Sequence, residues 1–343
     1  MFRSWLLIAF VAGVFGQIPA FGNSSSRFIE ATSKVHYPRD RSVDFLHMVL
    51  DLSFDWERKW VGGDVTFTLT PLAEAVRKVT LDSADLKISS IRSGGSPLKF
   101  RMAGEKLYVD LGREVSPGEE FIFTVSYEGN PRKGLYFSGE EGNPDRPPHI
   151  WSQGESEDNH YWFPCYDYPN DRVTFESIFT VPDRMTAVGN GALQETTVDS
   201  LRGTRTFHYR QAIPAVTYLI SVAIGEFDVV RDEYESIPVE YFVPRGTSRE
   251  TVLRSFGLTP DMMKFFSERI GVPYPYEKYA QTTVSDFIFG GMENISATTM
   301  TLEILHPERV ELESSSQGLV AHELAHQWWG DLLTCRDWSH AWL

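Results

Sequence analysis

The stretch Gly318-Leu-Val-Ala-His-Glu-Leu-Ala-His-Gln-Trp-Trp-Gly-Asp-Leu-Leu333 decides how the rest of the chain is read. Residues four apart share one face of a helix, so His322 and His326 can offer two imidazole nitrogens to a single cation while Glu323 stands beside them. This is the geometry of a zinc hydrolase, and zinc is the expected cofactor. A catalytic zinc needs three protein ligands and an open position for a water. Two ligands are visible in the stretch. Ser314, with Gln317 three positions on, offers a capping box for the helix, and Leu324 and Trp328 are expected to face the core.

Composition limits what this helix belongs to. The chain has 343 residues, enough for about two domains. It is 42% hydrophobic and 13% aromatic, which supplies a buried core. Its formal net charge of −15 argues against a phosphate backbone as partner, so no nucleic acid is expected. Residues 1–22 read as a signal peptide: Arg3 precedes an apolar run from Trp5 to Phe15, shorter than the roughly 20 residues that cross a bilayer. An uncleaved membrane anchor is the other reading, and either one places the protein outside the cytoplasm: periplasmic, extracellular or membrane-associated. Cys165 and Cys335 lie far apart and read as two separate buried thiols.

From 34 to 235 the pattern is strand after strand. Val65, Phe67 and Leu69 alternate with polar neighbours, as do Phe121, Phe123, Val125 and Tyr127. Half-buried antiparallel strands follow, with turns expected at Gly62-Gly63, Gly94-Gly95, Pro117-Gly118 and Gly189-Asn-Gly191 and a last strand over Val216 to Ile224. The fold class is α+β: an antiparallel β saddle or sandwich first, then a helix-rich second domain over 236–343. Ser248 to Ile270 reads as helix that Pro260 must kink or split. Gln281 to Phe289 reads as a strand running into Gly290-Gly-Met-Glu-Asn294.

That second motif, GGMEN, puts a carboxylate at the end of a strand, upstream of the helix. Together GGMEN and HELAHQWWGD resemble the aminopeptidase N type of zinc metallopeptidase, and the WSQGE and WFPCYDYPNDRVTFE blocks from Trp151 and Trp162 extend the resemblance over most of the chain. It implies a β saddle followed by a thermolysin-like domain, acting on peptides with a free N-terminus. His322 and His326 would hold zinc, and Glu323 would be general base toward a metal-activated water. Glu293 and Glu155 would grip the protonated α-amine, and Gln153 would be a further amine contact. Met292 and Asn294 belong to the same substrate-binding motif, and Gly290 and Gly291 would let a substrate backbone approach as an added strand. Glu155 has a second reading, as a solvated acid beside Glu157 and Asp158.

The remaining histidines, His36, His47, His149, His160, His208, His306 and His340, lack a partner at metal-ligand spacing and read as surface or hydrogen-bonded residues. Asn23-Ser-Ser and Asn294-Ile-Ser fit a glycosylation pattern weakly. Similar enzymes carry a third ligand, a Glu, after eighteen residues beyond the second His. Only residues 327–343 follow His326, so that Glu is expected two positions past Leu343. The chain then reads as the N-terminal part of a longer aminopeptidase. The alternatives are a non-catalytic β-rich binding or structural fragment with a relic half-site, and an epoxide hydrolase built on the same site.

Overall fold

The computed structural model describes residues 38–341, apart from 312 and 314. The signal-peptide reading, His36, the Asn23 acceptor and the Ser314 cap therefore lie outside the described residues. Among the described residues, no helix is long and apolar enough to cross a membrane.

The N-terminal part is built from strands β1 (Val43–Asp55), β2 (Trp60–Pro71), β3 (Val76–Asp82), β4 (Leu86–Ser93), β5 (Ser96–Pro97), β6 (Lys99–Ala103), β7 (Lys106–Val115) and β8 (Phe121–Gly129). It continues with β9 (Leu135–Ser138), β10 (His149–Ser152), β11 (Val173–Pro182), β12 (Thr186–Val188), β13 (Ala192–Asp199), β14 (Thr204–Ala215) and β15 (Ala223–Gly225). They form an eight-stranded sheet ordered β13-β14-β11-β1-β2-β8-β4-β5, a four-stranded sheet β12-β15-β10-β9 and a three-stranded sheet β3-β7-β6. The alternating apolar residues do what their period requires: Val65, Phe67 and Leu69, and Phe121, Phe123, Val125 and Tyr127, are all buried. Nearly all of the pairing is antiparallel, but β1 runs parallel to β11.

Two local expectations are overturned. Gly62-Gly63 is not a turn but lies inside β2, where a Cβ on Gly63 would collide with the Asp51 carbonyl on the neighbouring strand. Val216 to Ile224 is not one strand. Its Thr217 and Ile220 carbonyls accept from the Asn159 side-chain amide at 2.6 and 3.0 Å, so side-chain bonds replace a sheet partner. Thr217–Leu219 is a short 3-10 turn instead, and only β15 joins a sheet.

Five further strands, β16 (Phe227–Tyr234), β17 (Ile237–Pro244), β18 (Tyr279–Val284), β19 (Gly291–Met292) and β20 (Ala297–Thr301), form a second structural layer ordered β16-β17-β18-β20-β19. The change of texture near residue 236 falls in the turn that joins the first two strands of this sheet. The helices are α1 (Arg249–Phe256), α2 (Thr259–Ile270), α3 (Glu308–Glu311) and α4 (Gln317–His326). Pro260 splits the long helical window as expected: α1 ends at Phe256, and α2 restarts with the proline in its first turn. The strand expected over Gln281 to Phe289 stops at Val284, because Asp286 turns with φ 59° and takes both Arg146 Nε (2.9 Å) and Nη2 (2.8 Å).

At the start of α4, Ser316 occupies the cap position without a side-chain capping bond. Its hydroxyl donates to Ser255 O at 3.1 Å, and the Gln317 amide donates to Arg254 O at 2.8 Å. These bonds tie the first turn of α4 to the end of α1. Leu324 and Trp328 are buried as expected.

Candidate active site

Helix α4 places both imidazoles on one side. His322 Nε2 and His326 Nε2 are 3.2 Å apart, with the ring planes 86° from parallel. Two nitrogens bound to one tetrahedral zinc at about 2.05 Å would stand about 3.3 Å apart, so the pair fits that ion. The tautomer fits as well. His326 Nδ1 lies 2.8 Å from the Trp329 carbonyl, which can only accept, so Nδ1 carries the proton and Nε2 keeps its lone pair.

Glu323 is buried beside the imidazoles, and its carboxyl is pushed up to about 8 by burial first, then by Glu293 and Glu155. Gly291 makes its position possible: a Cβ there would overlap the Glu323 carboxylate. Gly290, at φ 81°, begins the GGMEN turn, and among the described residues the two-residue strand β19 is the edge of its sheet.

Across a cavity of about 500 Å³, Glu155, Glu293 and His326 meet with Tyr218, Trp329, Leu333, Cys335, Trp338 and His340 among its walls. Glu155 is exposed at the mouth. Its carboxyl is raised by lost hydration on its protein side and by Glu293, and it is lowered by His326. Its neighbours in sequence turn elsewhere: Glu157 accepts from Trp338 Nε1 at 2.8 Å, and Asp158 lies 3.5 Å from Lys133. Gln153 and Asn294 are buried and do not line the cavity. Gln153 Nε2 points to the Met292 sulfur at 3.1 Å, Asn294 Nδ2 donates to Thr299 Oγ1 at 3.0 Å, and the side-chain carbonyl oxygen of each has no partner among the described residues.

Two residues, Tyr218 and Asp331, stand at the site without an expected role there. Tyr218 is buried against the acids, its hydroxyl pushed well above the usual tyrosine range by burial, then Glu293, Asp331 and Glu155. Asp331 is fully buried with neither carboxylate oxygen hydrogen-bonded among the described residues, and burial followed by Glu293 raises it strongly. Its WGD context could have flagged it. Tyr218, which lies on an irregular segment more than seventy residues upstream of Glu293, could not have been found by spacing.

The other histidines take ordinary roles. His47 bonds Thr174, His160 bonds Asp167, His208 bonds Glu176 and His340 bonds Asp337. His149 is buried and accepts from Ser285 N, and burial holds it down at about 4. Both cysteines are free. Cys165 is buried as expected, but Cys335 is only half-buried, because it lines the open cavity. Among the described residues, no group of three His, Cys, Asp or Glu side chains is placed to complete a metal site.

A family model described as the peptidase M1 N-terminal domain matches residues 34–219, and one described as the peptidase family M1 domain matches residues 254–343. Leucine aminopeptidase 2 of Vanderwaltozyma polyspora is 27% identical over 320 residues, covering 90% of this chain and 46% of its own length. Aminopeptidase M1 of Arabidopsis thaliana is 28% identical over 300 residues, covering 82% of this chain and 34% of its own. The chain thus spans between about a third and a half of the length of these relatives. Among solved structures, a mutant M1 zinc metallopeptidase from Deinococcus radiodurans bound to a Tyr-Ser-Ala substrate superposes with a TM-score of 0.72 at 26% identity, covering 88% of this chain and 68% of that one.

Proposed function

Since the chain belongs to the peptidase M1 family, we propose that it carries the amine-recognition half and two of the zinc ligands of an aminopeptidase that removes N-terminal residues from peptides. The observation that carries this reading is that Glu293, Glu155 and His326 line one cavity, with His322 paired to His326 and Glu323 buried within the field of both acids. Burial and the neighbouring Glu293 raise the carboxyls of both Glu323 and Glu155, so a cation beside them is favoured. A metal beside Glu323 and a substrate ammonium beside Glu293 and Glu155 are the two cations such a reaction provides.

His322 and His326 would hold zinc through Nε2. When bound, zinc polarises a carbonyl and lowers the pKa of a water. Glu323 takes a proton onto its carboxylate from the attacking water and returns it to the leaving nitrogen. Glu293 and Glu155 fix the α-amine by charge-assisted hydrogen bonds, so that the first peptide bond is the one presented. An extended substrate backbone has the edge strand β19 to pair with. An exported location rests on the residue pattern of 1–22.

The test is turnover by the full-length protein. An aminoacyl-arylamide should be cleaved and its N-acetylated counterpart should not; equal cleavage of both would remove the aminopeptidase reading. Sequencing the N-terminus of the protein recovered from its host tests export, which fails if Met1 is retained in the cytosolic fraction.

A further inference from the structure

Gln327 follows the second histidine directly, yet its side chain turns inward and is fully buried. Its amide is used at both ends. Nε2 donates to Glu293 O at 2.9 Å, while Oε1 accepts from Ser296 N at 2.8 Å and from Tyr274 OH at 3.4 Å. Both main-chain groups belong to the turn 293–296, which leaves β19 with Glu293 and closes with Ser296 at φ 59°. The side chain therefore joins the backbone of Glu293 to the helix that carries His322 and His326.

The far side of the same turn is held by the β part of the chain. Gly191 N donates to Ser296 Oγ at 2.7 Å, and Asn190 Nδ2 donates to Ile295 O at 2.8 Å. With both sides fixed, the position of the Glu293 carboxylate relative to the imidazoles is set by main-chain bonds and does not depend on its own rotamer alone. An apolar side chain of the same size would fill the space but leave the Ser296 N–H and the Glu293 carbonyl buried without partners.

We propose that Gln327 is a positioning residue for Glu293: it sets the distance between the carboxylate that grips the substrate α-amine and the helix that holds the metal. The proposal rests on the amine-binding reading of Glu293. A peptidase that counts one residue from the amino end depends on this distance, and a shifted carboxylate grips the α-amine less well in the ground state and the transition state alike.

Steady-state kinetics of the zinc-loaded full-length protein test it. Gln327→Met should raise KM for a free-amine arylamide about tenfold or more while kcat changes little, the signature of lost uniform binding, with zinc content unchanged. Combining it with Glu293→Gln should add little to the effect of Glu293→Gln alone. An unchanged KM in Gln327→Met, where Glu293→Gln raises KM, overturns the proposal. If Glu293→Gln leaves KM unchanged as well, the reading of Glu293 fails and the proposal goes with it. Hydrogen exchange of the unmodified protein gives a readout independent of folding of the variant and of activity. The Ser296 amide should exchange only through global opening. Exchange as fast as at an exposed turn refutes the clamp.

Discussion

At Gly291 the absence of a side chain is what lets the Glu323 carboxylate stand between the imidazoles and the GGMEN turn. Gly291→Ala should therefore push that carboxylate aside, lowering kcat of the full-length enzyme about tenfold or more while His322 and His326 still bind metal. Arylamide kinetics with a zinc assay check both halves of the statement. Glu323→Gln keeps the volume and removes the proton acceptor. Turnover should fall by about 10²–10⁴-fold with zinc content retained. The motif spacing made His322, Glu323, His326 and Glu293 legible, since each occupies a fixed offset in a short segment. The use of Gly291 was not legible: the sequence suggested room for a substrate backbone, whereas the nearest occupant of that room is Glu323 itself.

Among the elements, α4 presents His322 and His326 on one side, and the turn just past its end is anchored in the core. Trp328 packs against Phe266 and Tyr274 with ring centroids 6.1 and 5.6 Å away, and its Nε1 donates to Val272 O at 3.0 Å. Trp328→Ala should cost about 3–5 kcal/mol, read as a loss in denaturant unfolding free energy, because it leaves a cavity and an unpaired carbonyl. Element type was readable wherever a period was long: the alternation in β2 and β8 and the proline break between α1 and α2 are local properties. Element ends were not. The first turn of α4 is tied to Ser255 and Arg254 of α1, the 216–224 segment is shaped by Asn159 and the end of β18 by Arg146. These partners lie tens of residues away, and no local pattern announces them.

At the scale of the molecule, Lys278 is a buried cation between the two parts of the chain. Its Nζ donates to Gly189 O at 2.6 Å and sits 4.7 Å from the Tyr209 ring centroid. Burial lowers it to about 8, with Glu240 opposing the shift. Between pH 8 and the ordinary lysine value, the unfolded chain binds the extra proton, so stability should rise with pH across that window by up to about 3 kcal/mol. Buried tyrosines titrate with the opposite sign above about pH 10, so the clean measurement compares the unmodified protein with Lys278→Met from pH 8 to 10. The variant should lack the rise, and parallel curves would contradict the assignment.

The Asn190 side chain reaches Ser221 in one part of the chain and Ile295 in the other, while β16 and β17 form a single hairpin. A gene cut at residue 236 would thus separate paired strands and strand the Lys278 ammonium and the Asn190 amide on opposite products. Neither product would inherit a closed interior. The β-rich part can then be transplanted or expressed alone only if the excision point lies outside that hairpin, which makes the two parts partners in folding.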